Sequence, residues 1–352
     1  MSRGEDPVDR AFEDAVGPQG PQSAQQSWKR RAAKQIGQAA YHLVDGNSAT
    51  GRWTKRALLG IVIAVLLYYC VGALVVHKID DDLTYADYQR TDGGSQAVDM
   101  AAALIRREID INGWQANAPF FEPGVILDNM PNFQQGIIYA IGRFALEMSD
   151  QIGRTRGSSP VDPDLDRAVG LLRYPGDRWH FDLSSSLAPT PTSESQYRSA
   201  AQALLAYNRR LAAGEATFDQ RADNLLGTLD RIAADLGSSS AVTADHVVTG
   251  RSRIIDLEAD DVFYQTKGRL YGYTMIIKEL GADFAGIITE RGMQPVWDQL
   301  IESLETAADL QPLVVLNGSP DGQLAPSHLA AQGFYLLRAR TRLREITDIL
   351  RN

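Results

Sequence analysis

Ala57–Val76 reads ALLGIVIAVLLYYCVGALVV and carries no charge. As a helix rising ~1.5 Å per residue, this run reaches about 30 Å, the thickness of a bilayer's hydrocarbon core. The flanks separate a membrane span from a buried soluble helix. Arg52, Trp53, Lys55 and Arg56 stand before the run as candidate membrane-interface residues, and His77, Lys78, Asp80, Asp81 and Asp82 follow it. Lysine and arginine gather on the N-terminal side (Lys29, Arg30, Arg31, Lys34, Arg52, Lys55, Arg56), while Lys78 is nearly alone just beyond the span. The positive-inside rule therefore places the N-terminus in the cytoplasm and the chain from about residue 80 outside it. The long charged segment ahead of the run argues against a cleaved signal peptide. Leu67-Tyr68-Tyr69-Cys70 imitates a lipoprotein cleavage box, but its tyrosines stand where small residues are needed.

The rest of the 352 residues suffices for one good-sized domain or two small ones. Charge is uneven. Nine Lys/Arg face six Asp/Glu before Ala57, and 26 face 38 after Val76. So acidic a domain repels phosphate backbones, which argues against a nucleic-acid partner. Cys70, the single cysteine, lies in the apolar run, so no disulfide forms within the chain. A cysteine-free outer domain suits an oxidising space such as a periplasm.

Residues 1–27 read as a disordered cytoplasmic tail, rich in Gly, Pro, Gln and acid. Residues 28–51 read as a basic juxtamembrane helix and linker, with Trp28, Ala32, Ile36, Ala39 and Leu43 on one face. Residues 80–352 show helical periodicity throughout. Apolar residues recur every three to four positions in Val98/Ala102/Ile105/Ile109, in Ile137/Ile141/Phe144/Met148, in Phe218 to Leu236 and in Leu270 to Ile287. Helix starts are expected at Ser159-Pro160 and at the capping-box spacings of Ser193-Gln196 and Thr217-Gln220, with a stop at Gly237. Pro326 is placed to begin a last helix, whose Leu329, Leu336, Leu343 and Leu350 pack onto the bundle rather than form a coiled coil. Alternating strands are not evident. The expected fold class is all-α: one N-terminal transmembrane helix followed by a multi-helix extracytoplasmic bundle. Gly60 and Ala64 have the spacing that lets two spans pack closely, which leaves homo-oligomerisation open.

Chemistry-bearing motifs are sparse. Asp162-Pro163-Asp164-Leu165-Asp166 opens like a calcium loop, but Arg167 and Arg173 occupy the glycine and glutamate positions, so an acid-rich helix start explains it better. No HExxH, GxSxG, Walker or GxGxxG pattern occurs, and no metal or cofactor is expected. Asp80-Asp81-Asp82 reads as a topological stop and solvated stalk. Two segments stand out as candidate binding or interaction sites. Leu127-Asp128-Asn129-Met130-Pro131-Asn132-Phe133-Gln134 sets Asp128, Asn129, Asn132 and Phe133 just ahead of a helix, after the aromatic pair Phe120-Phe121. Asp223 and Asn224 form the second. The plain reading of the first is an elaborate helix cap over core aromatics Phe120, Phe121 and Phe133. If Asp128 met Asp223, the two carboxylates could perform acid–base work.

Tyr68-Tyr69, the His77-to-Asp82 exit, the LDNMPNFQ stretch at 127–134, Arg154 to Ser159 and Phe218 through Leu236 together resemble a proteobacterial family known as domain of unknown function 2333. The resemblance covers most of the chain from about residue 55. It implies an inner-membrane protein with a helical outer domain and supplies no catalytic residues. The preferred expectation is a non-catalytic binding or scaffolding component of the cell envelope, with the bilayer and another envelope protein as partners. Its competitors are a carboxylate-dependent envelope hydrolase and a ligand sensor acting through a separate partner.

Overall fold

The computed structural model describes residues 49–153, 160–181, 188–249, 257–312, 314–318 and 326–351. The expectations for the tail and the juxtamembrane helix up to residue 48, and for Ser159 as a cap, lie outside them. The chain divides into two compact units, Met1–Tyr68 and Tyr69–Asn352, with the boundary inside the first helix.

That helix, α1 (Ala49–Val76), is the one helix among the described residues long and apolar enough to cross a membrane. Only 6 % of its most apolar stretch is buried, whereas a core helix would be mostly covered. Trp53 is exposed near its start, with the Arg56 guanidinium 5.9 Å from the ring centre. Arg52 and Lys55 share that exposed end.

The second unit is helical, with a lone bridge pairing Asn317 and Ser327 among the described residues. Its helices are α2 (Gln96–Arg106), α3 (Asn129–Glu147), α4 (Pro163–Leu172), α5 (Ser193–Ala212), α6 (Ala222–Thr249), α7 (Leu257–Asp283), the short α8 (Ala285–Glu290), α9 (Gln294–Ala308) and α10 (His328–Arg351). π-helical turns extend α2 through Arg107–Ile111 and α3 through Met148–Ile152. α7 is the central helix: α2, α3 and α9 pack on it, and its run Leu270–Ile277 is buried on every side. A helix apolar all round is one that the fold surrounds. The expected stripes lie inside: Val98 to Ile109, Ile137 to Met148, Leu225 to Leu236 and Leu270 to Phe284 are buried. The four leucines of α10 are buried too, and α10 packs on α6 and α9.

α3 and α7 approach at backbone distance. A Cβ on Gly268 would fall within 2.0 Å of the Phe133 carbonyl oxygen, and one on Gly136 within 2.4 Å of the Gln265 carbonyl oxygen. Gly272 meets Ala140 one turn further on. Glycine gives up helix propensity here, about 1 kcal/mol per residue, and close packing offsets it.

Several expected helix ends move. α4 starts at Pro163 with Asp162 as its cap, accepting from the Asp164 and Leu165 amides. Thr192 rather than Ser193 caps α5. α6 begins only at Ala222, and the Thr217 carbonyl accepts from the Tyr207 hydroxyl. α6 then runs straight through Gly237 to Thr249. Packing against α10 outweighs the local signal of one glycine and three serines.

Candidate functional site

The LDNMPNFQ segment builds a joint between helix starts. Asp128 caps α3 by accepting from the Asn129 amide at 2.8 Å. The Asn132 side-chain nitrogen donates to the Asp128 carbonyl (3.1 Å) and to Asp261 (2.7 Å) on the first turns of α7. The Asn129 side-chain amide reaches 2.7 Å from Asp260, which assigns its nitrogen to that side. Three carboxylates thus converge. Burial, then the charges of Asp128 and Asp261, push Asp260 up to about 6 against the pull of Asn129. Asp261 is raised too, by burial and by Asp128.

Phe133 and Gln134 turn inward. Phe133 is buried with its ring centre 5.8 Å from that of Tyr271. Gln134 donates to the Gly113 carbonyl (2.9 Å) and to Glu108 (3.2 Å) while accepting from the Gln115 amide. Of the expected core aromatics, only Phe133 is core: Phe120 is 80 % exposed and Phe121 is also on the surface.

Asp223 and Asn224 lie elsewhere. Asn224 bonds the Asp219 carbonyl, and the Asp219 amide bonds the carbonyl of Ile152. Asp128 opens α3 and Ile152 closes its π-helical extension, so ~36 Å of helix separates the two segments. The suggested Asp128–Asp223 pair does not form. Asp223 is exposed and pairs with Arg221.

The triple acid is no solvated stalk. It is a strap bound across the bundle. Asp81 meets the buried Lys267 ammonium at 2.7 Å, and that lysine also donates to the Ala308 and Leu310 carbonyls. Asp80 accepts from the buried Arg107 through both its carbonyl (2.8 Å) and its carboxylate (3.4 Å). The Asp82 carbonyl accepts from Tyr271, and the Leu83 carbonyl from Lys278. Arg107 also forks onto Glu108, donates to the Tyr271 hydroxyl at 2.7 Å and faces the rings of Tyr85 and Tyr271. Burial pushes Glu108 up, and Arg107, Gln134 and Asn112 pull against it. The sequence held one signal for the strap: a lone lysine and a lone arginine set among buried apolar helix positions want a partner.

Beside the strap lies a cleft of about 710 Å³, floored by α2 and walled by Tyr85, Tyr88 and the chain to Asp92, with arginines and aspartates both at its rim. A second, smaller hollow of about 370 Å³ runs between α6 and α10. Its walls are almost wholly apolar: Val247 and Val248 on one side, Leu329, Phe334 and Leu337 on the other. Phe334 is 64 % exposed and Leu337 55 %. Gly333 forms the floor, where a Cβ would meet only Thr243, at 3.9 Å.

The family described as "Uncharacterized protein conserved in bacteria (DUF2333)" matches residues 57–255 and 249–352. The chain belongs to this family. No curated protein and no solved structure matches it.

The DUF2333 match takes in the apolar run of α1, the strap, the carboxylate joint and the α6–α10 groove. Its two segments meet at residues 249–255, where α6 ends and before α7 begins. Membership agrees with the resemblance carried by the LDNMPNFQ stretch.

Proposed function

We propose that this DUF2333 protein is a single-pass protein of the bacterial inner membrane, N-terminus in the cytoplasm, whose periplasmic bundle is a non-catalytic binding or scaffolding module of the cell envelope. The exposed, charge-free run Ala57–Val76 of α1 and the Lys/Arg excess before it support the anchoring and its direction. The observation that carries the binding role is the open apolar groove between α6 and α10. Large apolar side chains lining a concave surface mark a recognition site on a soluble domain, and two parallel ridges of helix receive the apolar face of a third. The occupant is an amphipathic helix of another envelope protein.

A photo-crosslinking residue at Leu337, in living cells, tests this against the same residue at exposed Arg344. A defined adduct is expected from 337 only, and it disappears when Gly333→Met fills the floor. Equal labelling at both positions would overturn the reading.

One observation favours the hydrolase alternative. Asp260, raised to about 6 beside Asp128 and Asp261, is a carboxyl able to exchange a proton near neutral pH. Loss of turnover of an envelope polymer in Asp260→Asn, with the 337 adduct intact, would establish that second activity.

A further inference from the structure

One face of α1 is covered by the bundle well before the helix ends. Tyr69, Gly72, Ala73 and Val76 are buried or half-buried, whereas Cys70, Val71, Leu74 and Val75 are exposed. The cover is the loop ahead of α3. The Tyr69 hydroxyl donates to the Phe120 carbonyl at 2.5 Å, and Pro123 packs so tightly on Gly72 that a Cβ there would lie 2.4 Å from its ring. Tyr69 stands seven residues before Val76, about 10 Å down the helix axis.

That depth matters because the span has no residues to spare. Counted from Ala57, the first residue after Arg56, a span ending below Tyr69 would reach only about 18 Å, far short of the hydrocarbon core. Tyr69 to Ala73 therefore sit within the outer leaflet, and whatever packs on them sits there too.

We propose that residues 119–126, with Trp179 and Phe181, are seated in the outer leaflet of the membrane, so that the bundle rests on lipid at a second point. This rests on the reading of α1 as the span. The loop presents Phe120, Phe121, Val125 and Ile126 outward. Phe121 meets Trp179 edge to face and Trp179 meets Phe181 in the same way, each at 5.7 Å between ring centres, which gives a continuous aromatic cluster. Aromatic rings of this kind concentrate at the lipid interface. Part of the loop's backbone polarity is satisfied internally, as a water-poor setting demands. Pro119 and Pro123 have no N–H, and the amides of Glu122, Val125 and Leu127 bond the carbonyls of Pro119, Glu122 and Gly124. Glu122, the loop's one charge, is exposed rather than buried against the bundle.

The full chain in phosphatidylethanolamine–phosphatidylglycerol vesicles, labelled with an NBD fluorophore at a single cysteine, tests this. The probe sits at native Cys70, or at Phe120→Cys or Ile126→Cys in a Cys70→Ser background, with Arg344→Cys as the aqueous control. Probes at 120 and 126 are expected to emit blue-shifted and to lose most of their fluorescence to lipid carrying a doxyl group high on its acyl chain, with 344 unaffected. Quenching at Cys70 with water-like emission at both 120 and 126 would overturn the second contact and leave the span standing. Water-like emission at all of them, Cys70 included, would overturn both.

Discussion

Lys267 and Asp81 form an ion pair of 2.7 Å in which the lysine side chain is 2 % exposed. Its ammonium has the Ala308 and Leu310 carbonyls as its other acceptors, so all three of its protons are used. Lys267→Met takes the ammonium from two carbonyls and from a partly buried carboxylate that keeps the Gln311 amide as a donor, and the expected loss of stability is about 3–5 kcal/mol. Asp81→Asn keeps an acceptor in place and costs less. Denaturant unfolding in detergent measures both; a Lys267→Met variant as stable as the parent would remove the strap from the energetics.

The Arg107–Glu108 pair behaves as a unit. Arg107→Met alone strands Glu108, which is fully buried, at an expected cost of about 3–5 kcal/mol. Adding Glu108→Leu recovers part of that loss, since an apolar pair in a packed site has no charge to desolvate. A double-mutant cycle reads the coupling; strict additivity would mean the two charges do not depend on each other. Tyr271→Phe removes one bond to Arg107 and one to the Asp82 carbonyl, for about 1–2 kcal/mol.

Two glycine substitutions should act in opposite directions. Gly268→Ala drives a methyl into the Phe133 carbonyl, forces α3 from α7 and costs about 1–3 kcal/mol or more. Gly170→Ala, on the exposed side of α4 with nothing within 4 Å, stabilises by about 0.5–1 kcal/mol. Melting temperatures of the two variants separate contact from propensity.

Asp260 sets a pH dependence. Its folded-state pKa, about 6, lies above the ordinary 3.8, so the folded protein holds that proton more tightly than the unfolded chain. The destabilisation is absent below pH 3.8, grows as the pH rises to about 6 and is complete above it. Asp260→Asn is therefore more stable than the parent at pH 7.5, with the gap closing by pH 4. An equal gap at both pH values would show that the carboxyl titrates normally.

Periodicity made the bundle legible. Ile137, Ile141, Phe144 and Met148 repeat at helical spacing because one face must leave water, and they are buried. What lay outside the sequence were choices settled between distant elements. Asp80 to Asp82 look like any acidic stop after a span until Arg107, Lys267 and Lys278 arrive from α2 and α7. Asp128 had legible capping chemistry, but its acidic neighbours Asp260 and Asp261 come from a helix more than a hundred residues later. Phe120 and Phe121 read as core because aromatics usually are. Their exposure follows from the loop's packing on α1, which no local pattern encodes.

The strap has a mechanical consequence. Helix α1 ends at Val76, and Asp80 is already gripped by Arg107, so there is almost no slack between them. Within the second unit the last turns of the helix are thus stapled twice, by Tyr69 on the Phe120 carbonyl and by Asp80 on Arg107. A single residue inserted after Val76 has only His77–Ile79 to absorb it before the next staple, so the expected casualty is the Asp81–Lys267 pair.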